Sequence, residues 1–248
     1  MQLWGIFYMI LYDDFITGDK FLDIEFFGCK SKIDYISRLP SSCSRILTHN
    51  GDLPVTDDAL RLFHNLTSWF GQNIMTIDSR CIALPIGLEN DYVEGSIDKK
   101  KLLFAYMQKH QVPSRLAYLN CNTKTYKADR EDAYSKIKNC TKVMHRTISN
   151  EQYYSDILDH DFIICPRGNG LDCHRNWEVL YLNRYPVMKR YHGLELVYKD
   201  LPVVFVDDWE EVTEDLLNKK KNEFFSTTFN KEKLKFSWWK DLIINQII

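Results

Sequence analysis

The second half of the chain alternates short apolar runs with mixed polar stretches. RLAYLNCN (115–122), TKVMH (141–145), DFIICP (161–166), YPVM (185–188) and LPVVFV (201–206) read as strands. Between and after them, ADREDAYSKIKN (128–139), SNEQYYSDIL (149–158, with Ser149 as N-cap), DCHRNWEVLYLN (172–183) and DWEEVTEDLLNKKKNEF (208–224) read as helices. The last carries acid at its start and lysines at its end, as the helix dipole favours. Continuous apolar strands alternating with helices predict a parallel sheet covered on both faces.

The first half has the same character with weaker signals. RILTHN (45–50) and CIALPIG (81–87) read as strands, and TDDALRLFHNLTSWF (56–70) as the helix between them, capped by Thr56 or Asp57. Residues 88–114 hold Gly95, a lysine run at 99–101, a helical KKLLFAYMQKH and Pro113, and read as a junction. The expectation is two Rossmann-like α/β domains, 1–110 and 111–228, with a cleft between them. An amphipathic helix within 229–248 is expected to pack back on the first.

Composition adds limits. The 248 residues are 45% apolar and 27% charged, typical of a globular protein, and 14 Tyr, 14 Phe and 6 Trp supply a large core. A net charge of −2 gives no electrostatic case for a nucleic-acid partner or an anionic membrane. Seven scattered cysteines without a CxxC favour free thiols in a reducing, cytoplasmic setting, although an odd count leaves room for one bridge. The apolar start, MQLWGIFYMILYDD, lacks a basic leader and falls short of the ~20 residues of a membrane span. It reads as a buried strand, so no transmembrane segment is expected.

The chemistry concentrates in FIICPRGNGLDCHRNWEVL (162–180), a strand, a glycine turn and a helix. Ligands of parallel α/β sheets bind at the carboxyl ends of strands. Gly168 and Gly170 allow close backbone approach, and the amides around 171–174 form an anion site at a helix start. Arg175 opposes the helix dipole unless it faces an anion, and Arg167 can add to it. Glu178 follows three residues later on the same face, suited to the vicinal hydroxyls of a ribose. The alternative is a surface Arg175–Glu178 pair with Asp172 as a simple N-cap. Neither a Walker motif nor a GxGxxG fingerprint is present.

FIICPRGNGLDCHRNWEVLYLNRYPVM followed by LPVVFVDDWEEVTEDLL (201–217) resembles the signature of exostosin-like glycosyltransferases. LTHNGDLPVT (47–56), ALPIGLEN (83–90) and AYLNCNTKTYKADR (117–130) are weaker matches, so the likeness covers roughly residues 45 to 220. In length the chain is nearest the short members, including those of large DNA viruses of algae. The resemblance implies a GT-B architecture, acceptor half first and donor half second. It implies inverting, metal-independent transfer from a UDP-sugar to a glycan or glycoprotein hydroxyl, with xylose or glucuronate as guesses for the sugar and no further cofactor. Arg175 would hold the diphosphate, Glu178 the ribose, and Arg130 a further phosphate oxygen, while His174 departs from the pattern.

Inverting transfer needs a base on the acceptor side. HNGD, after a strand, offers Asp52 first and His49 second, with Asp13 and Asp14 in reserve; the competing reading is a plain Asn-Gly turn. DHD (159–161) precedes its strand, at the wrong end for a metal-dependent Asp-x-Asp, and reads as a solvated turn. The lysine runs at 99–101 and 219–221 read as solvated helix faces, and Trp238 and Trp239 as an interdomain seam. A rival to the enzyme is a non-catalytic nucleotide-sugar- or glycan-binding module that keeps the donor pocket.

Overall fold

The computed structural model describes residues 10–138, 141–142 and 148–245. It is an α/β structure with two all-parallel sheets. The first sheet holds β1 (Cys29–Lys32), β2 (Arg45–His49), β3 (Ser68–Gly71) and β4 (Cys81–Ala83), side by side in chain order. The second holds β5 (Arg115–Leu119), β6 (Thr141–Lys142), β7 (His160–Ile164), β8 (Tyr185–Lys189) and β9 (Val204–Val206), in the order β6-β5-β7-β8-β9. The direction of winding therefore reverses between β5 and β7, which defines a crevice beyond their carboxyl ends.

Helices α1 (Gly18–Asp23), α2 (Asp57–Leu60) and α3 (Ser96–Met107) belong to the first half and the junction. The second half carries α4 (Lys127–Lys136), α5 (Asn150–Leu158), α6 (His174–Tyr181), α7 (His192–Tyr198) and α8 (Glu214–Ser226). The chain continues to α9 (Phe236–Asn245), whose Phe236 meets Phe21 of α1 edge-on at 5.2 Å. One hydrophobic core runs through both halves, and a second fills the far face of the second sheet around Phe162, Val187 and Trp209. Tyr181 ties three parts together, accepting from the Ile16 amide and donating to the Leu234 carbonyl.

Several expectations are corrected. The helix expected over 56–70 ends at Leu60, and SWFG becomes β3, with Ile46 beside Trp69 and Leu47 beside Phe70. Phe63 and Leu66 are buried as a helical spacing would have them, but they reach the core from turns. β1 escaped notice because it is a polar edge strand with alternating exposure. The helix expected over 208–224 is broken: a 3-10 turn at Trp209–Glu211 comes first, and Thr213 caps α8. Of the apolar start, residues 1–9 lie outside the described residues, and Tyr12–Asp14 form a 3-10 turn. Of the strand expected over 141–145, only Thr141–Lys142 is described. Among the described residues no helix is long and apolar enough to cross a membrane.

Cys29 and Cys43 form a disulfide across a separation of 14 residues, which tethers β1 to the segment entering β2. Cys81, Cys121, Cys165 and Cys173 are free thiols, and Cys140 lies outside the described residues. A loop of this size predicts that reduction lowers stability by up to about 3 kcal/mol. Urea unfolding of the wild type and of Cys29→Ser/Cys43→Ser, with and without reductant, measures this: the reductant effect is expected in the wild type alone.

Candidate functional site

Two guanidinium groups meet at the crevice between β5 and β7. Arg130 comes from α4, which follows β5, and Arg175 from α6, which follows β7. Arg130 donates through Nη1 to the Asn122 carbonyl at 2.6 Å and through Nε to the Arg167 carbonyl at 3.0 Å. Burial, then the neighbouring Arg175 charge, pull its pKa below the usual arginine range. Arg175 is surrounded by Tyr153, Cys165, Cys121 and Cys173, and its Nε is buried without a hydrogen-bond partner. Burial keeps these thiols and the phenol protonated, so none of them neutralises Arg175. Among the described residues neither arginine has a carboxylate at ion-pair distance. Two like charges held together in partial burial repel, and an anion relieves both.

The glycine turn after β7 is braced from several sides. Asp129 accepts from the Arg167 amide, from Trp209 Nε1 and from Lys189 Nζ. Arg167 folds over the Tyr126 ring at 4.3 Å and donates back to the Gly168 and Asn169 carbonyls. A side chain at Gly168 would stand 3.5 Å from Arg130 Nη2, so this glycine borders the guanidinium. Gly170 has another neighbour: an added Cβ would meet the Asn73 amide at 2.9 Å. The expected anion nest of amides at 171–174 is corrected. Leu171 and Asp172 amides donate to Asn73 Oδ1, and the Cys173 amide to Asp172 Oδ1, so protein groups already occupy three of the four.

Asp172 is buried and engages the amides of Cys173 and Ile86, Asn176 Nδ2, Trp177 Nε1 and the Tyr198 hydroxyl. Ile86 belongs to the loop after β4, so this carboxylate joins the halves. Glu178 is also buried, and its Oε1 pairs with Lys99 of α3. Burial raises the Glu178 carboxyl, but Lys99, then His174 and Arg175, outweigh it and leave its pKa below the ordinary range. A surface Arg175–Glu178 pair is therefore excluded, and so is a solvated lysine run. Lys99 holds Glu178, and Lys100 is buried against Asp91 and the Glu89 carbonyl. His174 lies between its partners, Nδ1 2.8 Å from the Gly87 carbonyl and Nε2 3.4 Å from Glu89 Oε2.

The carboxyl ends of the two sheets converge here. After β2, Asp52 is exposed and accepts from Asn169 Nδ2 at 3.3 Å, across the two halves. His49 is fully buried, stacked on Phe21 at 4.6 Å, with Nε2 2.9 Å from the Pro85 carbonyl and Nδ1 accepting from the Asn50 amide. That geometry holds it away from any acceptor. Asp14 caps its own turn through the Leu11 amide, and Asp13 stands beside it on the surface. DHD is not a solvated turn: His160 and Asp161 are buried in β7, His160 Nδ1 donating to the Asp156 carbonyl and Asp161 pairing with Lys221. That pairing also takes Lys221 out of the solvated lysine run expected at 219–221. Among the described residues no group of three or more His, Cys, Asp or Glu converges as metal ligands would.

Sequence reasoning missed Asn73, Asp129, Glu89, Lys99 and Tyr198 as members of this region. Asn73 follows a strand that was absorbed into an expected helix, and Lys99 was hidden in a lysine run. Asp129 stands directly before Arg130 in α4, where acid in a first turn carries a signal of its own. No protein-family model matches the sequence, and no curated protein matches it.

Two measurements follow. Asp172→Ala strands donors from both halves and is expected to cost about 3 kcal/mol or more in urea unfolding. Burial holds the His49 pKa at about 4, below its value of 6.5 when unfolded. The unfolded chain therefore binds this proton more readily, so the contribution is complete above ~6.5 and is lost as pH falls towards 4. Unfolding free energies should drop by roughly 3 kcal/mol over that window, and His49→Gln should flatten the slope.

Proposed function

We propose that the chain is a GT-B glycosyltransferase that binds a nucleotide-sugar between its halves and moves the sugar, with inversion and without a metal, to a glycan hydroxyl. The observation that carries this reading is the Arg130–Arg175 pair at the winding reversal, two neighbouring cations without a carboxylate at ion-pair distance, one with its Nε buried and unbonded. A diphosphate brings enough charge and enough acceptor oxygens to satisfy both guanidiniums. The same pair would stabilise the charge that builds on the diphosphate as it leaves. Lys99 takes one oxygen of Glu178, and the other can accept from ribose hydroxyls.

The converging loops after β2, β4 and β7 suit an acceptor approaching from the first half. Of the two base candidates at HNGD, Asp52 stays exposed whereas His49 does not. The Cys29–Cys43 bridge fits an oxidising compartment, where such bonds persist, better than the reducing cytoplasm expected from the scattered thiols.

A thermal-shift series with UDP, UDP-xylose, UDP-glucuronate and UDP-glucose tests the reading. A ligand at 100 times its Kd stabilises by about 2.7 kcal/mol if it binds only the folded chain. Arg175→Ala and Arg130→Ala should each remove the shift. No shift with any of these in the wild type rejects the proposal. Release of UDP from the shifting donor separates a transferase from a binding module.

A further inference from the structure

We propose that His174, working with Glu89, is the proton acceptor of the transfer; this rests on the transferase reading above. Gly87 O can only accept, so at 2.8 Å it requires a proton on Nδ1 of His174. The neutral ring then turns a lone pair, on Nε2, towards Glu89 Oε2 at 3.4 Å. Two acceptors this close are satisfied by a proton held between them, which a hydroxyl reaching their exposed edge can bring. The His174 and Glu89 side chains keep 29% and 36% of their exposure, so a substrate hydroxyl can reach them. His49 offers no such access.

The placement fits the donor groups. His174 opens α6, next to Arg175 and one turn before Glu178, whose carboxylate feels both. At 3.4 Å from Nε2, the Glu89 carboxylate can pair with the ring once the proton has arrived. The other titratable groups that feel the ring are the buried His49 from β2 and Glu178 from its own helix. In the transfer the acceptor O–H proton passes to Nε2 and the oxygen bonds to the anomeric carbon. The bond from that carbon to the diphosphate breaks, and its electron pair goes to the departing phosphate oxygen facing Arg130 and Arg175. An imidazole suits proton transfer near neutral pH better than a hydrated carboxylate such as Asp52.

The test uses the full chain, with UDP as binding probe and UDP release from UDP-xylose, UDP-glucuronate and UDP-glucose as turnover. His174→Asn keeps a donor for Gly87 and removes the accepting nitrogen; His174→Gln is the second variant. Both should leave the UDP thermal shift intact and lower kcat on the order of 100-fold. Glu89→Gln should move the acidic limb of the pH–rate profile to lower pH, because the carboxylate that favours the imidazolium is gone. Nitrogen-15 spectra should show the Nδ1–H tautomer for His174.

Wild-type turnover in both His174 variants or an Nε2–H tautomer overturns the dyad and leaves donor binding standing. A wild type that binds UDP but turns over none of the three donors overturns it as well. A wild type that does not bind UDP removes the transferase reading and the dyad with it.

Discussion

A carboxylate taken out of water survives only if the protein replaces its hydration, and Asp172 does so with donors from both halves of the molecule. Trp177, stacked on Tyr198, and Asn176 hold it from the second half, and the Ile86 amide reaches it from the first. Asn73 repeats the pattern in reverse, a first-half side chain receiving the amides of Leu171 and Asp172. These bonds set how the loops after β3, β4 and β7 meet. The positions of Arg175, Glu178 and His174 follow, because they stand on the helix that starts at this clamp.

With the amides of Leu171, Asp172 and Cys173 committed to structure, much of the region's spare electrostatic capacity rests on side chains. Arg130 and Arg175 sit at the reversal of winding, lined by thiols that burial keeps neutral. Asp129, which could have neutralised them, is occupied by the Arg167 amide, Trp209 and Lys189. Glu178 is turned to Lys99. Among the described residues, partnering the nearby carboxylates elsewhere leaves the two cations facing each other, the physical basis for proposing an anionic ligand here.

How much was legible depended on whether the signal was local. The apolar strands 115–122, 161–166 and 201–206, and the turn with Gly168 leading into the helix of Arg175 and Glu178, depend on neighbours within a few residues and were readable. β3 was not, because the spacing of Leu60, Phe63, Leu66 and Phe70 marks burial without saying whether a helix or a set of turns delivers it. DHD read as solvated because its partners, Lys221 and the Asp156 carbonyl, come from other elements. The Cys29–Cys43 bridge was equally beyond reach, since pairing needs distances that spacing does not supply.

The sequence by itself determined the class of fold, the parallel winding and the location of the charged turn, because hydrophobic period and turn chemistry act over short stretches of chain. Only the tertiary structure decided which partner each charge keeps. Lys99 finds Glu178, Asn73 takes amides that a ligand could have used, and Glu89 faces His174, each across 79 to 99 residues of chain. Electrostatic energy depends on distance in space and on burial, and neither is written in the order of residues.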